Sequence, residues 1–232
     1  MNEILGNALQ RLIARWNGMR KIDDICKSFM DCSEYQINNE PQPHFLVQNK
    51  MKVINYDTLT KWLYENEIEN PTSSDVMCNS PDYLYFIEFK AGKQGNQVIG
   101  KQTYSKNRLL KNVANKINDS YRTAIDKIFD SNERNKIRFR FRLVVDSKEI
   151  GPDAQARILA SLSTSQNTIR NPEFKQLMEK TYSYLNMPEY ALDSYESIDI
   201  WYSGLFDYHV RNARINDASY LYQDVRYTQR HN

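Results

Sequence analysis

Residues Ser73 to Lys90 constrain the fold of this chain more than any other stretch. Tyr83 to Phe89 is rich in aromatic and β-branched residues, the composition of a strand. The preceding Asn79-Ser80-Pro81-Asp82 is turn chemistry, and its proline excludes a continuous strand. Val76 to Cys78 supplies an opposing strand, so the segment predicts a β-hairpin. A four-residue turn that closes symmetrically sets Asn79 against Asp82 and Asp75 against Phe86. Opposed residues share a face, and side chains repeat every second residue. Asp75, Phe86, Glu88 and Lys90 then share one face, and Ile87 and Phe89 point the other way into a core. A one-residue slip would carry Asp75 to the wrong face.

Two acids and a lysine on one face suggest a chemistry. Hard cations such as Mg²⁺ take carboxylate oxygens, backbone carbonyls and water. Asp75 and Glu88 are candidate ligands, with the Phe89 carbonyl as a third. A metal held there can polarise a phosphate and lower the pKa of a bound water. Lys90 can neutralise developing charge or orient the attacking water.

Asp75 followed by Glu88-Phe89-Lys90 resembles the motif of the PD-(D/E)xK nuclease superfamily. The resemblance takes Asp75 as the first acid and Glu88-Phe89-Lys90 as the acid-x-lysine. The literal Pro-Asp, Pro81-Asp82, falls at the turn, so Asp75 stands in for the motif aspartate. The resemblance implies an α/β, restriction-endonuclease-like fold: a mixed β-sheet flanked by helices, in the order helix, three strands, helix, strand. Residues 1–150 can be laid onto that core. It further implies a Mg²⁺- or Mn²⁺-dependent deoxyribonuclease, of a kind found in restriction, phage defence, repair and mobile elements. DNA is the expected partner, with RNA as an alternative. A double-strand cut calls for two active sites, so homodimerisation is compatible with this reading. The rival expectation is a nuclease fold without activity, serving as a nucleic-acid-binding or protein-interaction module.

Acid-x-lysine triplets also arise by chance, and the ordinary reading of Glu88 and Lys90 is a solvated cross-strand ion pair. Asp146-Ser147-Lys148 ends a strand-like run. Glu173-Phe174-Lys175 follows Asn171-Pro172, where Asn caps a helix and Pro opens it. An acid in a first helical turn meets the helix dipole favourably and needs no catalytic role.

The chain has 232 residues, enough for one large domain or one domain with an appendage. A hydrophobic fraction of 41% supports a core, and no apolar run reaches the ~20 residues that span a bilayer. No membrane partner is expected, and the N-terminus lacks signal-peptide order. Cys26, Cys32 and Cys78 show neither zinc nor disulfide spacing, which suits a reducing cytoplasm. His44, His209 and His231 are scattered and read as structural or surface residues. Net charge is only +2, but cations cluster. Between Lys90 and Arg122 stand Lys93, Lys101, Lys106, Arg108, Lys111 and Lys116 against a single acid, Asp119. Such a run is either a phosphate-attracting surface or a solvated helix face. Lys93, Lys101, Gln102 and Lys106 are the candidate nucleic-acid contacts.

Apolar spacing predicts helices over 3–16, 22–32 and 101–129. Phe45-Leu46-Val47 or Lys52-Val53-Ile54 is the first core strand, and Asp57 to Glu67 is a helix or an irregular connection. Ile137 to Val145 alternates strictly, with Arg138, Arg140 and Arg142 opposite an apolar face. Those arginines either form a basic surface or pack against acids of a covering helix. Residues 151–232 are expected to form a helical extension packed on the core, with helices near 153–164 and 173–186. Its late tyrosines, interleaved with Arg211, Arg214 and Arg226, either pack on the core or offer a stacking surface.

Overall fold

The computed structural model describes residues 1–16, 19–37, 40–68, 71–91, 108–146, 172–188 and 190–221. Helix α1 (Asn2–Arg15) leads into a single turn α2 (Ile22–Ile25), strand β1 (Cys26–Ser28) and a second turn α3 (Phe29–Cys32). The helix expected over 22–32 is thus interrupted by a strand. Ser28 explains the break: its hydroxyl accepts from Asp31 N–H while Asp31 accepts from Ser28 N–H, a capping box that starts a new helix. The short strands β2 (Glu34–Tyr35) and β3 (His44–Phe45) pair only with each other. The first core strand after β1 is therefore β4 (Lys52–Asn55), not the run at Phe45. Helix α4 (Tyr56–Leu63) follows, capped by the Asn55 side chain on Thr58 N–H at 2.9 Å.

The hairpin forms from β5 (Val76–Asn79) and β6 (Leu84–Lys90). Its register differs from symmetric closure at Asn79 and Asp82. Asn79 pairs with Leu84, Met77 with Phe86 and Val76 with Ile87. Only Pro81 and Asp82 lie beyond the Ser80–Tyr83 step. Ser80 N–H donates to the Tyr83 carbonyl at 2.9 Å, and Tyr83 N–H donates to the Ser80 hydroxyl at 3.2 Å. Serine at the first and proline at the second turn position favour this later turn. The shift is two residues, so every side chain keeps its face.

Helix α5 (Arg108–Thr123) runs into a π-helical turn at Ala124–Ile128, then a single turn α6 (Ser131–Arg134). Strand β7 (Phe139–Val145) lies parallel to β6. Helix α7 (Pro172–Tyr184) has Pro172 as its first residue, with Glu173-Phe174-Lys175 in its opening turn. The single turn α8 (Tyr190–Asp193), strand β8 (Tyr195–Tyr202), a 3₁₀ turn at Ser203–Leu205 and helix α9 (Phe206–Asn212) complete the described elements. Strand β8 corrects the expectation of a purely helical C-terminal extension, because it pairs in parallel with β7 and extends the sheet. Ile198 and Ile200 face one core and Trp201 the other, so this segment has the two-sided burial of a sheet strand. The helix expected near 153–164, together with Tyr222, Arg226, Tyr227 and His231, lies outside the described residues.

The result is an α/β fold around a mixed six-stranded sheet ordered β1-β4-β5-β6-β7-β8. Both faces are buried. Met77, Phe86, Phe141 and Leu143 pack with Leu9 of α1, Leu59 of α4, Val113 and Ile117 of α5, and Met178 of α7. Val76, Ile87, Phe89 and Val144 pack on the other face with Phe29, Phe206 and Val210. Full burial of a side chain such as Phe86 stabilises by about 1.5–3 kcal/mol. Among the described residues no helix is long and apolar enough to cross a membrane.

Candidate active site

Helix α5 covers the face of the hairpin that carries Glu88, and several hydrogen bonds fix that relation. Buried tyrosine hydroxyls donate to its carbonyls: Tyr56 to Ser120 at 2.8 Å, Tyr182 to Ala114 at 2.9 Å and Tyr195 to Ile117 at 2.9 Å. The segment leading to Asp75 is tied to the same helix. Thr72 donates from its N–H and hydroxyl to Asp119, at 3.1 and 2.8 Å, and Ser74 N–H donates to the Ser120 hydroxyl at 2.9 Å. Asp75 and α5 are therefore positioned together.

Asp75 lies one step before β5. Its main-chain carbonyl accepts from Tyr56 N–H at 3.0 Å, and its carboxylate Oδ2 accepts from Phe89 N–H at 2.7 Å. The side chain thus continues the ladder where the strand has ended. One pair beyond Val76–Ile87, Asp75 stands across from Glu88, on the same face. Asp75, Glu88 and Lys90 do converge, as the alternation predicts.

The residue that joins them is Lys116 of α5, which in the sequence stands only as part of a basic run. Its ammonium lies 2.7 Å from Glu88 Oε2 and 3.4 Å from Asp75 Oδ1. Lys90 Nζ pairs with the other Glu88 oxygen, Oε1. Glu88 is fully buried, whereas Asp75 keeps 26% of its side chain exposed. A solvated surface ion pair therefore does not describe Glu88. A signal for Lys116 exists in the sequence: it sits three residues after Val113 and one before Ile117, against the apolar stripe.

The electrostatics favour cations. Burial and the neighbouring Glu88 charge push the Asp75 carboxyl up to about 7, against the opposing pull of Lys116, the Phe89 N–H and Lys90. For Lys116, burial disfavours the ammonium, but Glu88 and Asp75 outweigh it and raise its pKa above the ordinary value. The Asp75 shift sets a pH dependence. A folded-state pKa above the unfolded value near 3.8 means that the native state holds a proton the unfolded chain has released. Stability from this group is therefore lost as pH rises from about 4 to about 7. Asp75→Asn, measured by urea melts without metal, is expected to remove that slope and to be more stable than wild type at pH 8. Equal slopes in the two proteins would refute the assignment.

Among the described residues no group of three or more His, Cys, Asp or Glu side chains is arranged to hold a metal. A cation here would rely on Asp75, Glu88, a main-chain oxygen and water, a donor set that suits Mg²⁺ or Mn²⁺. The Phe89 N–H points toward Asp75, and in a regular strand its carbonyl points to the same side. Two carboxylates already converging on one ammonium fit a divalent ion in chemistry and charge.

Other candidates fall elsewhere. Lys93, Lys101, Gln102 and Lys106 lie outside the described residues. The arginines of the 137–145 run meet acids of a strand rather than of a covering helix. Arg138 and Arg140 pair with Glu196, and Arg142 with Asp199, both on β8. Of Asp146-Ser147-Lys148, the last two lie outside the described residues. Lys175 pairs along its helix with Glu179 at 3.8 Å. No family model, curated protein or solved structure matches the chain.

Proposed function

We propose that the chain is a Mg²⁺- or Mn²⁺-dependent nuclease that hydrolyses DNA phosphodiesters, built on a restriction-endonuclease-like core. The observation that carries this reading is the convergence of Asp75 and Glu88 on one cationic group beside Lys90. Element order adds support. The antiparallel strands β4, β5 and β6, then α5, then β7 beside β6 resemble the order expected of a PD-(D/E)xK core, with helix α4 inserted between β4 and β5.

The division of labour follows from burial. Glu88, inside the protein, and Asp75, at the solvent edge, would hold the ion. A bound Mg²⁺ or Mn²⁺ would supply Lewis acidity and a more acidic water. The Phe89 N–H fixes the Asp75 carboxylate, so its second oxygen stays directed at the site. Lys90, restrained by Glu88, presents positive charge where a phosphate gains negative charge. DNA is favoured over RNA by the motif's resemblance alone.

A second reading is an inactive nuclease fold that binds nucleic acid or protein. The lysine on each Glu88 oxygen favours it, since a metal must compete with charges already in place. Supercoiled, linear and single-stranded DNA, and RNA, incubated with Mg²⁺, Mn²⁺ or EDTA, separate the two. The nuclease reading expects metal-dependent cutting of at least one DNA form. Binding without cutting under every metal condition would favour the inactive module.

A further inference from the structure

We propose that Lys116 is the resident counter-ion of the Asp75–Glu88 pair, and that a divalent cation enters this site only by displacing its ammonium. The inference rests on the metal-dependent reading above. The Lys116 Nζ bridges the two carboxylates, at 2.7 Å from Glu88 and 3.4 Å from Asp75. Lys90 reaches only the far oxygen of Glu88. A Mg²⁺ ion sits about 2.0–2.1 Å from its carboxylate oxygens, so an ion shared by both acids would occupy the space of Nζ. Two cations at that separation repel strongly in a site with little water.

The exit is a side-chain movement. Helix α5 is fastened by three tyrosine hydroxyls and by the Thr72–Ser74 segment, so its backbone is held in place. Lys116 keeps 16% of its side chain exposed, and its four-carbon stem can swing the ammonium toward solvent. In the metal-free protein the same ammonium compensates a carboxylate that is otherwise sealed from water.

Mn²⁺ binding to wild type, Lys116→Gln and Lys116→Arg, read by electron paramagnetic resonance of free Mn²⁺, tests the displacement. Lys116→Gln is expected to bind at least about tenfold more tightly than wild type, since one charge-assisted contact no longer has to break. Lys116→Arg, which keeps the charge, is expected to bind no more tightly than wild type. A second measurement uses the unaltered chain. Acylation of Lys116 by an amine-reactive reagent, followed by mass spectrometry, should rise several-fold when Mn²⁺ is added. Wild type that binds Mn²⁺, with Lys116→Gln equal or weaker, would overturn the displacement and leave the metal reading standing. Unchanged labelling at saturating Mn²⁺ would do the same. No Mn²⁺ binding by either protein would overturn the metal reading, and the displacement with it.

Discussion

Glu88→Gln is expected to lower metal-dependent DNA cleavage by at least about a hundredfold and to abolish any Mn²⁺-induced gain in thermal stability. Glu88 is the one acid of the site with no solvent exposure, and both its oxygens carry a lysine. Glutamine matches its shape but cannot supply the charge a divalent ion requires. The stability effect runs separately from the catalytic one. Glu88→Ala removes the partner of Lys90 and the nearer partner of Lys116, leaving two ammonium groups that are only 15% and 16% exposed. Breaking a buried ion pair in this way costs about 3–5 kcal/mol. Urea melts of wild type, Glu88→Gln and Glu88→Ala, each with and without Mn²⁺, distinguish the two consequences. An unchanged Mn²⁺ response in Glu88→Gln would show that the ion does not bind through this carboxylate.

Arg142→Ala is expected to destabilise the fold by about 3–5 kcal/mol without touching the candidate site. Arg142 sits in the middle of β7 with only 1% of its side chain exposed. Its guanidinium donates to the Phe141 carbonyl at 2.7 Å and the Ser197 hydroxyl at 2.9 Å, and lies 3.3 Å from Asp199. The rings of Tyr85 and Trp201 flank it, with centroids 5.4 and 5.7 Å away. Truncation removes a cation from beside the Asp199 carboxylate, whose side chain is only 6% exposed. The double variant Arg142→Met with Asp199→Leu should recover much of the loss, because apolar groups of similar volume need no compensation. Chemical denaturation of wild type and the two variants measures this. A double variant no better than Arg142→Ala would mean that packing, rather than the broken ion pair, sets the cost.

The sequence puts Asp75 and Glu88 on one face because period-two alternation survives a two-residue change of register. Placing the turn at Asn79–Asp82 instead of around Pro81 and Asp82 misaligned every pair, yet it moved no side chain to another face. A one-residue error would have separated Asp75 from Glu88. Lys116 was beyond reach for a different reason. It meets Glu88 across 28 residues, through a packing of helix on sheet that local pattern does not encode. Its place on the apolar side of α5 marked it as unusual, but not which acids it would find. The strand Tyr195–Tyr202 carried a legible alternation, Ile198 and Ile200 against Ser197 and Asp199, hidden by the tyrosines around it. The 22–32 segment shows the converse. Its apolar spacing suits a helix, but the Ser28–Asp31 capping box and pairing with β4 divide it.

Cleavage of supercoiled plasmid by wild type, Glu88→Gln and Lys90→Met, each shown to be folded, is the most direct test of the hairpin as an active centre. The expected result is Mn²⁺-dependent nicking by wild type that EDTA stops and that both variants lose. Nicking that persists undiminished in both variants would contradict the assignment and remove Glu88 and Lys90 from the chemistry.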